Sequence, residues 1–352
     1  RLLVCLVMVV LAACGTPGAP QPPSLRLPKP VEDLKAVRQG DKVLITWTAP
    51  RETTDRQGIR GSATARICRS YRTQTESDCK DKVGDVPSVA GQKATYTDDL
   101  SGPLRNPALD FVNYNVEVLN DLGRSAGPSN AVTIFLAPSM PAAQKASATL
   151  ERDGILIEWT GAEPPPAGRL RTNHAYRVIR SGVLPGEGTV AETVVGDASA
   201  KPGPASIRDR NFIWERGYSY RVVGMTQVLS RDGRVLAEFE GTASAPAEIN
   251  AHDVFPPGHP NGLQAVYSGL DTQRSIDLTW TPSEETDLAG YNVYRREGQG
   301  EPARINKELV KTPSYRDAEV QPGKTYSYAV TAVDARGNEG KSSEPATEKV
   351  PE

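Results

Sequence analysis

One short pattern occurs three times in this chain: KVLITWTAP at 42–50, GILIEWTGA at 154–162 and SIDLTWTPS at 275–283. In each copy alternate residues are apolar and the run closes on tryptophan: Val43, Ile45, Trp47; Ile155, Ile157, Trp159; Ile276, Leu278, Trp280. A period of two places them on one face of a half-buried strand, because successive side chains of a strand point to opposite sides. Whatever the chain folds into must bury such a face three times.

Each tryptophan segment is followed by a second alternating run, ATARICRS at 63–70, AYRVIRS at 175–181 and GYNVYRR at 290–296. Ala65 and Ile67 in the first copy take the places of Tyr176 and Val178 in the second and of Tyr291 and Val293 in the third. A third run comes later in each copy: FVNYNVEVLND at 111–121, GYSYRVVGMT at 217–226 and TYSYAVTAVD at 325–334. Tyr114, Tyr220 and Tyr328 are then 106 and 108 residues apart, and the tryptophans 112 and 121. A repeat of this length is one domain type used three times. The 29 prolines and 31 glycines are spread between the runs, which favours many short strands and turns. Two sheets can then bury their apolar faces against each other, giving an all-β chain of serial sandwiches.

The third copy carries a family likeness. Trp280-Thr281-Pro282, the run Tyr291 to Arg295, Val320-Gln321-Pro322-Gly323-Lys324-Thr325-Tyr326 and the turn Asp334 to Gly340 resemble the fibronectin type III domain in its bacterial form. The resemblance implies an immunoglobulin-like sandwich of seven strands, with Trp280 in strand B, Tyr291 in strand C and Tyr326 at a tyrosine corner in strand F. Tyr326 is then expected to tie down the loop before it through its hydroxyl. The first copy departs from the pattern through the long B to C connection TAPRETTDRQGIRGSATA and through Ala65. The second departs through GAEPPPAGRLRTNH and through a long hairpin turning at Asp232-Gly233.

At the amino terminus, residues 2–13 form an apolar run of 12, whereas about 20 are needed to cross a bilayer as a helix. A short apolar core after a basic residue and before small residues reads as a secretory signal. Leu11-Ala12-Ala13-Cys14 resembles the lipobox of bacterial lipoproteins. That likeness implies cleavage after Ala13 and a diacylglyceryl group on Cys14, with Gly15 pointing to onward export to an outer membrane in a diderm host. Two or more acyl chains hold a protein durably at a membrane where one holds it marginally. Residues 15–30 contain six prolines and read as an extended tether that packs against nothing. The expected organisation is a signal at 1–13, a lipidated Cys14 and tether at 14–30, and fibronectin type III sandwiches at 31–138, 139–250 and 256–351. Pro256, Pro257 and Pro260 at the second junction favour a semi-rigid rod.

Cys68 and Cys79 are the thiols left once Cys14 is lipidated and Cys5 is lost with the signal. Export permits a disulfide between them, the alternatives being unpaired thiols or a metal-binding or catalytic role. For chemistry the inventory is thin. His174, His252 and His259 sit in neither an HExxH pattern nor a Gly-x-Ser-x-Gly turn, and neither a phosphate-binding loop nor a dinucleotide turn occurs. His252-Asp253 with His259 has the residue types of a metal site but reads better as solvated linker. Glu284, Glu285 and Asp287 offer a cation site or an acid–base pair, against the reading that Asp287 orders its turn through its side chain. The net charge of −2 with no basic tail argues against nucleic acid as partner. A cofactor is not expected. The function expected is a non-catalytic, membrane-anchored spacer, scaffold or interaction module of the bacterial envelope, with a protein or glycan partner. A glycan- or peptidoglycan-binding accessory is the alternative, and a hydrolase is the poorest.

Overall fold

The computed structural model describes residues 25–71, 79, 81–166, 168–183, 192–269 and 273–352. Cys14, the signal and most of the tether lie outside them. Among the described residues no helix is long and apolar enough to cross a membrane.

The strands fall into three groups along the chain. The first holds β1 (Lys35–Gln39), β2 (Lys42–Thr48), β3 (Ala63–Ser70), β4 (Asp81–Ser88), β5 (Lys93–Asp99), a single helical turn α1 (Ser101–Leu104), β6 (Phe111–Leu119) and β7 (Val132–Phe135). The second holds β8 (Gln144–Glu151), β9 (Gly154–Gly161), β10 (Arg171–Val183), β11 (Thr193–Ser199), β12 (Gly203–Asp209), β13 (Gly217–Leu229), β14 (Val235–Ala243) and β15 (Ala247–Asn250). The third holds β16 (Asn261–Ser268), β17 (Ser275–Thr281), β18 (Leu288–Glu297), β19 (Ala303–Arg304), β20 (Ser314–Asp317), β21 (Thr325–Asp334) and β22 (Ala346–Lys349). In every group the tryptophan strand (β2, β9 or β17) is the middle of three, between β1 and β5, β8 and β12, or β16 and β20.

The facing sheets are β4-β3-β6-β7, then β11-β10-β13-β14 with β15 also on β13, then β19-β18-β21-β22. Between each pair lies one apolar core. Val43, Ile45 and Trp47 meet Ile67, Tyr114 and Val116; Ile155, Ile157 and Trp159 meet Tyr176, Val178 and Tyr220; Ile276, Leu278 and Trp280 meet Tyr291, Val293 and Tyr328. These are the residues that the period of two selects. Each aliphatic side chain fully withdrawn from water contributes about 1.5–3 kcal/mol, which is why the alternation decides the register.

The first two groups are joined by more than a linker. Β1 pairs with β14 in parallel, Gln39 opposite Glu240, and the Gly40 N–H donates to Glu240 O at 2.7 Å. Arg38 is 4% exposed, with Nη1 donating to Phe135 O at 2.6 Å and its guanidinium 4.0 Å above the Phe239 ring. Burial pushes its pKa down to about 10. The linker residue Met140 is fully buried, and its N–H donates to Thr226 Oγ1 at 2.9 Å. A Cβ at Gly241 would stand 2.4 Å from Met140 O and one at Gly224 2.7 Å, so close approach of the linker requires glycine at both.

The tether corrects one expectation. Its last residues do pack: Thr54 N–H donates to Leu27 O, Pro28 bridges Thr53, and Lys29 both donates its N–H to Glu52 O and ion-pairs with Glu52. The long B to C connection of the first copy is the surface that receives them.

Candidate functional site

The side chains with chemistry in them are largely used by the scaffold itself, in a pattern repeated three times. An arginine of β3, β10 or β18, an aspartate near the end of β5, β12 or β20 and a tyrosine of β6, β13 or β21 meet inside each strand group. Arg69 Nη1 donates to Asp98 Oδ2 at 3.0 Å, Arg180 Nη1 to Asp209 Oδ2 at 2.7 Å, and Arg295 Nη1 to Asp317 Oδ2 at 2.8 Å. The hydroxyls of Tyr114, Tyr220 and Tyr328 donate to the same three oxygens. Burial, with the neighbouring carboxylate, pushes each of these phenols well above its ordinary range, so it stays a donor. A second device recurs on strand F: the N–H groups of Val116, Val222 and Val330 donate to Ser129, Ser244 and Ser343 Oγ, each at 3.0 Å. The period-two reading finds the tyrosines but not their partners, although each arginine stands four residues after Ala65, Tyr176 or Tyr291 and the aspartates precede their tyrosines by 16, 11 and 11 residues.

The tyrosine corner is present where the likeness places it. Gln321 N–H donates to the Tyr326 hydroxyl at 3.1 Å, and in the second group Ile213 N–H donates to the Tyr218 hydroxyl at 2.9 Å. In the first group the position belongs to Val112, which has no hydroxyl to offer.

Cys68 and Cys79 form a disulfide with Cα atoms 5.3 Å apart, at the end of β3. His174 lies in the seam between the first two groups, its Nδ1 3.1 Å from Thr226 Oγ1, and burial lowers its pKa, so it stays neutral near pH 7. His259 stands exposed, and His252 Nδ1 meets Glu215 Oε2 at 2.6 Å. Neither histidine joins a metal-ligating group among the described residues.

The second junction does bring two of the acidic candidates together. Asp253 on the linker, Asp287 just before β18 and Asp334 at the end of β21 each hold a carboxylate oxygen within 4.8 Å of the other two. Asp334 was not among the candidates read from sequence and comes from a turn that the family likeness had marked only as scaffold. Asp287 corrects an expectation: among the described residues its carboxylate accepts no backbone N–H, and its backbone carbonyl orders the neighbourhood by accepting Ala335 N–H at 2.8 Å. Burial raises the pKa of Asp334, but donors from the Asn338 side chain and backbone and from the Arg336 and Gly337 backbone outweigh it, so the carboxyl is held below the usual range.

Asp253 and Asp287 border a cleft of about 430 Å³ that Trp214, Phe255, Pro257 and Arg336 also line, while Asp334 lies buried behind it. Polar contacts cross it from one group to the other. Arg152 Nη2 donates to Pro256 O at 2.5 Å and ion-pairs with Glu285 at 3.6 Å; Asn338 Nδ2 donates to Asp253 O at 3.1 Å and Asp334 Oδ2 at 2.8 Å. A Cβ at Gly340 would lie 2.4 Å from Pro257 O, so the turn after β21 needs glycine where the linker passes. Glu284 and Glu285 line a neighbouring hollow with His259, and only Glu285 also borders the cleft.

Comparison with known proteins places a name on one part of the chain. Residues 259–349 match the family model described as the fibronectin type III domain. A fibronectin type III-like sandwich is therefore present, and its strands β16 to β22 enclose the third core. Over 238 residues, 64% of this chain, the sequence is 27% identical to Exoglucanase B of Cellulomonas fimi; the match spans 19% of that protein's length. Among solved structures, an Fn3-like protein from Clostridium thermocellum aligns at 29% identity over 28% of this chain and 97% of its own, with a TM-score of 0.24. The FN1–FN3 domains of chicken CNTN1 align at 16% identity over 92% of this chain and 99% of their own, with a TM-score of 0.26.

Proposed function

We propose that the chain is a non-catalytic, lipid-anchored spacer and interaction module of the bacterial cell envelope, built as three tandem fibronectin type III sandwiches behind a proline-rich tether. The observation that carries this reading is the threefold Arg–Asp–Tyr triad. It ties the first two strand groups to the one that matches the family model and accounts for their buried carboxylates as scaffold. Function then rests on position: acyl chains on Cys14 hold one end at a membrane, the outer one in a diderm host, and the serial sandwiches present loops at a set distance from it. The partner is an envelope protein or a glycan.

A second reading, a glycan-binding accessory, draws support from the likeness to Exoglucanase B and from Trp214 and Phe255, which meet edge to face at 6.2 Å beside the cleft. Retention on insoluble cellulose or peptidoglycan that Trp214→Ala abolishes would favour it.

Fractionation of cells producing the Cys14→Ser variant tests the anchor. The variant is expected in the soluble fraction, whereas the unaltered protein stays with membranes through detergent-free washing. Equal membrane retention of the two would end the lipid-anchor account.

A further inference from the structure

A hollow of about 340 Å³ opens at the seam between the first two strand groups. Both sides build its wall: Leu104 and Leu109 around the crossover after α1, Leu136 on the linker and Leu170 ahead of β10, with four prolines between them. An apolar hollow of this size where two domains meet is the usual form of a small-molecule site, in which a few polar groups fix the ligand's orientation. The polar groups here divide into those already matched and those left open. Arg169 pairs with Asp110 at 3.3 Å and donates to Ala108 O at 3.2 Å, and Asn106 Oδ1 accepts Ala108 N–H at 3.0 Å. An ionic ligand would find its counter-charges engaged and would lose its own hydration on entering. His174 is different. The fully buried Thr226 hydroxyl accepts Met140 N–H, and its own proton has Nδ1 of His174, 3.1 Å away, as its described acceptor. The neutral ring then carries its hydrogen on Nε2, which meets no acceptor among the described residues. The Thr172 hydroxyl, two residues earlier on the same face of β10, has no described partner either. One strand thus brings two neutral, unmatched polar groups to an apolar hollow.

We propose that this hollow binds a small uncharged, apolar molecule bearing a carbonyl or ester oxygen, with its hydrocarbon part among the leucines and prolines and its oxygen on the Nε2–H of His174. The ligand's lack of charge follows from the closed Arg169–Asp110 pair, and its acceptor from the open donor on β10. Both strand groups supply the wall, so an occupant also strengthens the seam, because it binds the joined arrangement and not the parted one. The site stands whether or not the chain is lipid-anchored or meets a glycan, since its wall lies within residues 104–174.

Nile red tests this, being uncharged, carrying a carbonyl oxygen and emitting more strongly and further to the blue in apolar surroundings. Titrating the full chain with the dye is expected to give saturable emission at a stoichiometry near one. Methyl decanoate should displace it, whereas decanoate and decylamine, of the same chain length but charged, should not. Thr172→Trp should weaken dye binding by at least about tenfold, since the indole takes the ligand's space. His174→Phe keeps a ring and removes the donor, and should weaken it by about three- to tenfold, the worth of one neutral hydrogen bond. Val266→Ser, on the exposed face of β16 in the third group, should leave binding unchanged. Should either seam variant fail to fold, the displacement series on the unaltered chain decides. Emission that does not saturate, equal displacement by the charged analogues, or an affinity unaltered in folded Thr172→Trp would each overturn the proposal.

Discussion

The first and third sandwiches share one chassis and secure it by different means. In the third, two tyrosine hydroxyls act as fasteners. Tyr326 holds the loop before β21, and Tyr291 accepts the Ser283 N–H at 2.7 Å just past the tryptophan strand while its ring meets Trp280 edge to face at 5.1 Å. The second sandwich repeats the latter arrangement, with Ala162 N–H donating to Tyr176 at 2.8 Å. In the first, Ala65 stands where the strand C tyrosine would be, and Pro50 stands where the donor would be. Proline has no N–H, so acceptor and donor are missing together and neither is left buried and unmatched. What the first sandwich has instead is the Cys68–Cys79 bridge, and the one-turn helix α1 at the crossover that the corner tyrosine holds elsewhere. The lesson is that the tryptophan strand and the triad define the sandwich, while the fasteners at its rim are exchangeable.

That division can be broken at its shared part first. Asp317→Ala in the third sandwich and Asp98→Ala in the first should each cost about 3–5 kcal/mol, since either leaves an arginine and a phenol partly buried without their acceptor. Urea unfolding followed sandwich by sandwich should show similar losses; a loss confined to one would refute a common chassis. The next effect is specific to the first sandwich. Cys68→Ser with Cys79→Ser should lower its stability by about 2–3 kcal/mol, the chain-entropy value for so short a loop, and leave the third unchanged. Reduction with dithiothreitol should reproduce the shift in the denaturation midpoint. The smallest effect belongs to the corner: Tyr326→Phe removes one hydroxyl and should cost about 1 kcal/mol in the third sandwich only, read from the same urea curves.

Much of this architecture was legible beforehand, for a physical reason. Burial on one face of a strand writes itself into alternate residues, so Val43, Ile45 and Trp47 and their two sets of counterparts announce the strands, and Tyr114, Tyr220 and Tyr328 announce the opposite sheet. Contacts made across the sandwich leave no such trace. Asp98 and Asp209 follow their arginines by 29 residues and Asp317 follows its own by 22, because the strands and loops between them are shorter in the third copy. The acidic cleft shows the same limit. Asp253 and Asp287 were visible as carboxylates in or near a linker, but Asp334 lies 81 residues from Asp253 and reaches it only because β21 ends where the linker passes. The disulfide was readable since its partners are close along the chain. The buried Met140 was not, for a linker rich in proline and alanine gives no sign that Gly224 and Gly241 have made room for it.

The parallel contact between β1 and β14 bears on how the molecule carries load. Stretching force that enters through one sandwich does not pass to the next by the linker alone; it is spread over Gly40, the clamped Arg38 and the seated Met140. Under tension the first two sandwiches should yield as a single mechanical element, in one rupture event at higher force, and the third should yield separately. The first two strand groups would then answer tension together, as one stiff arm.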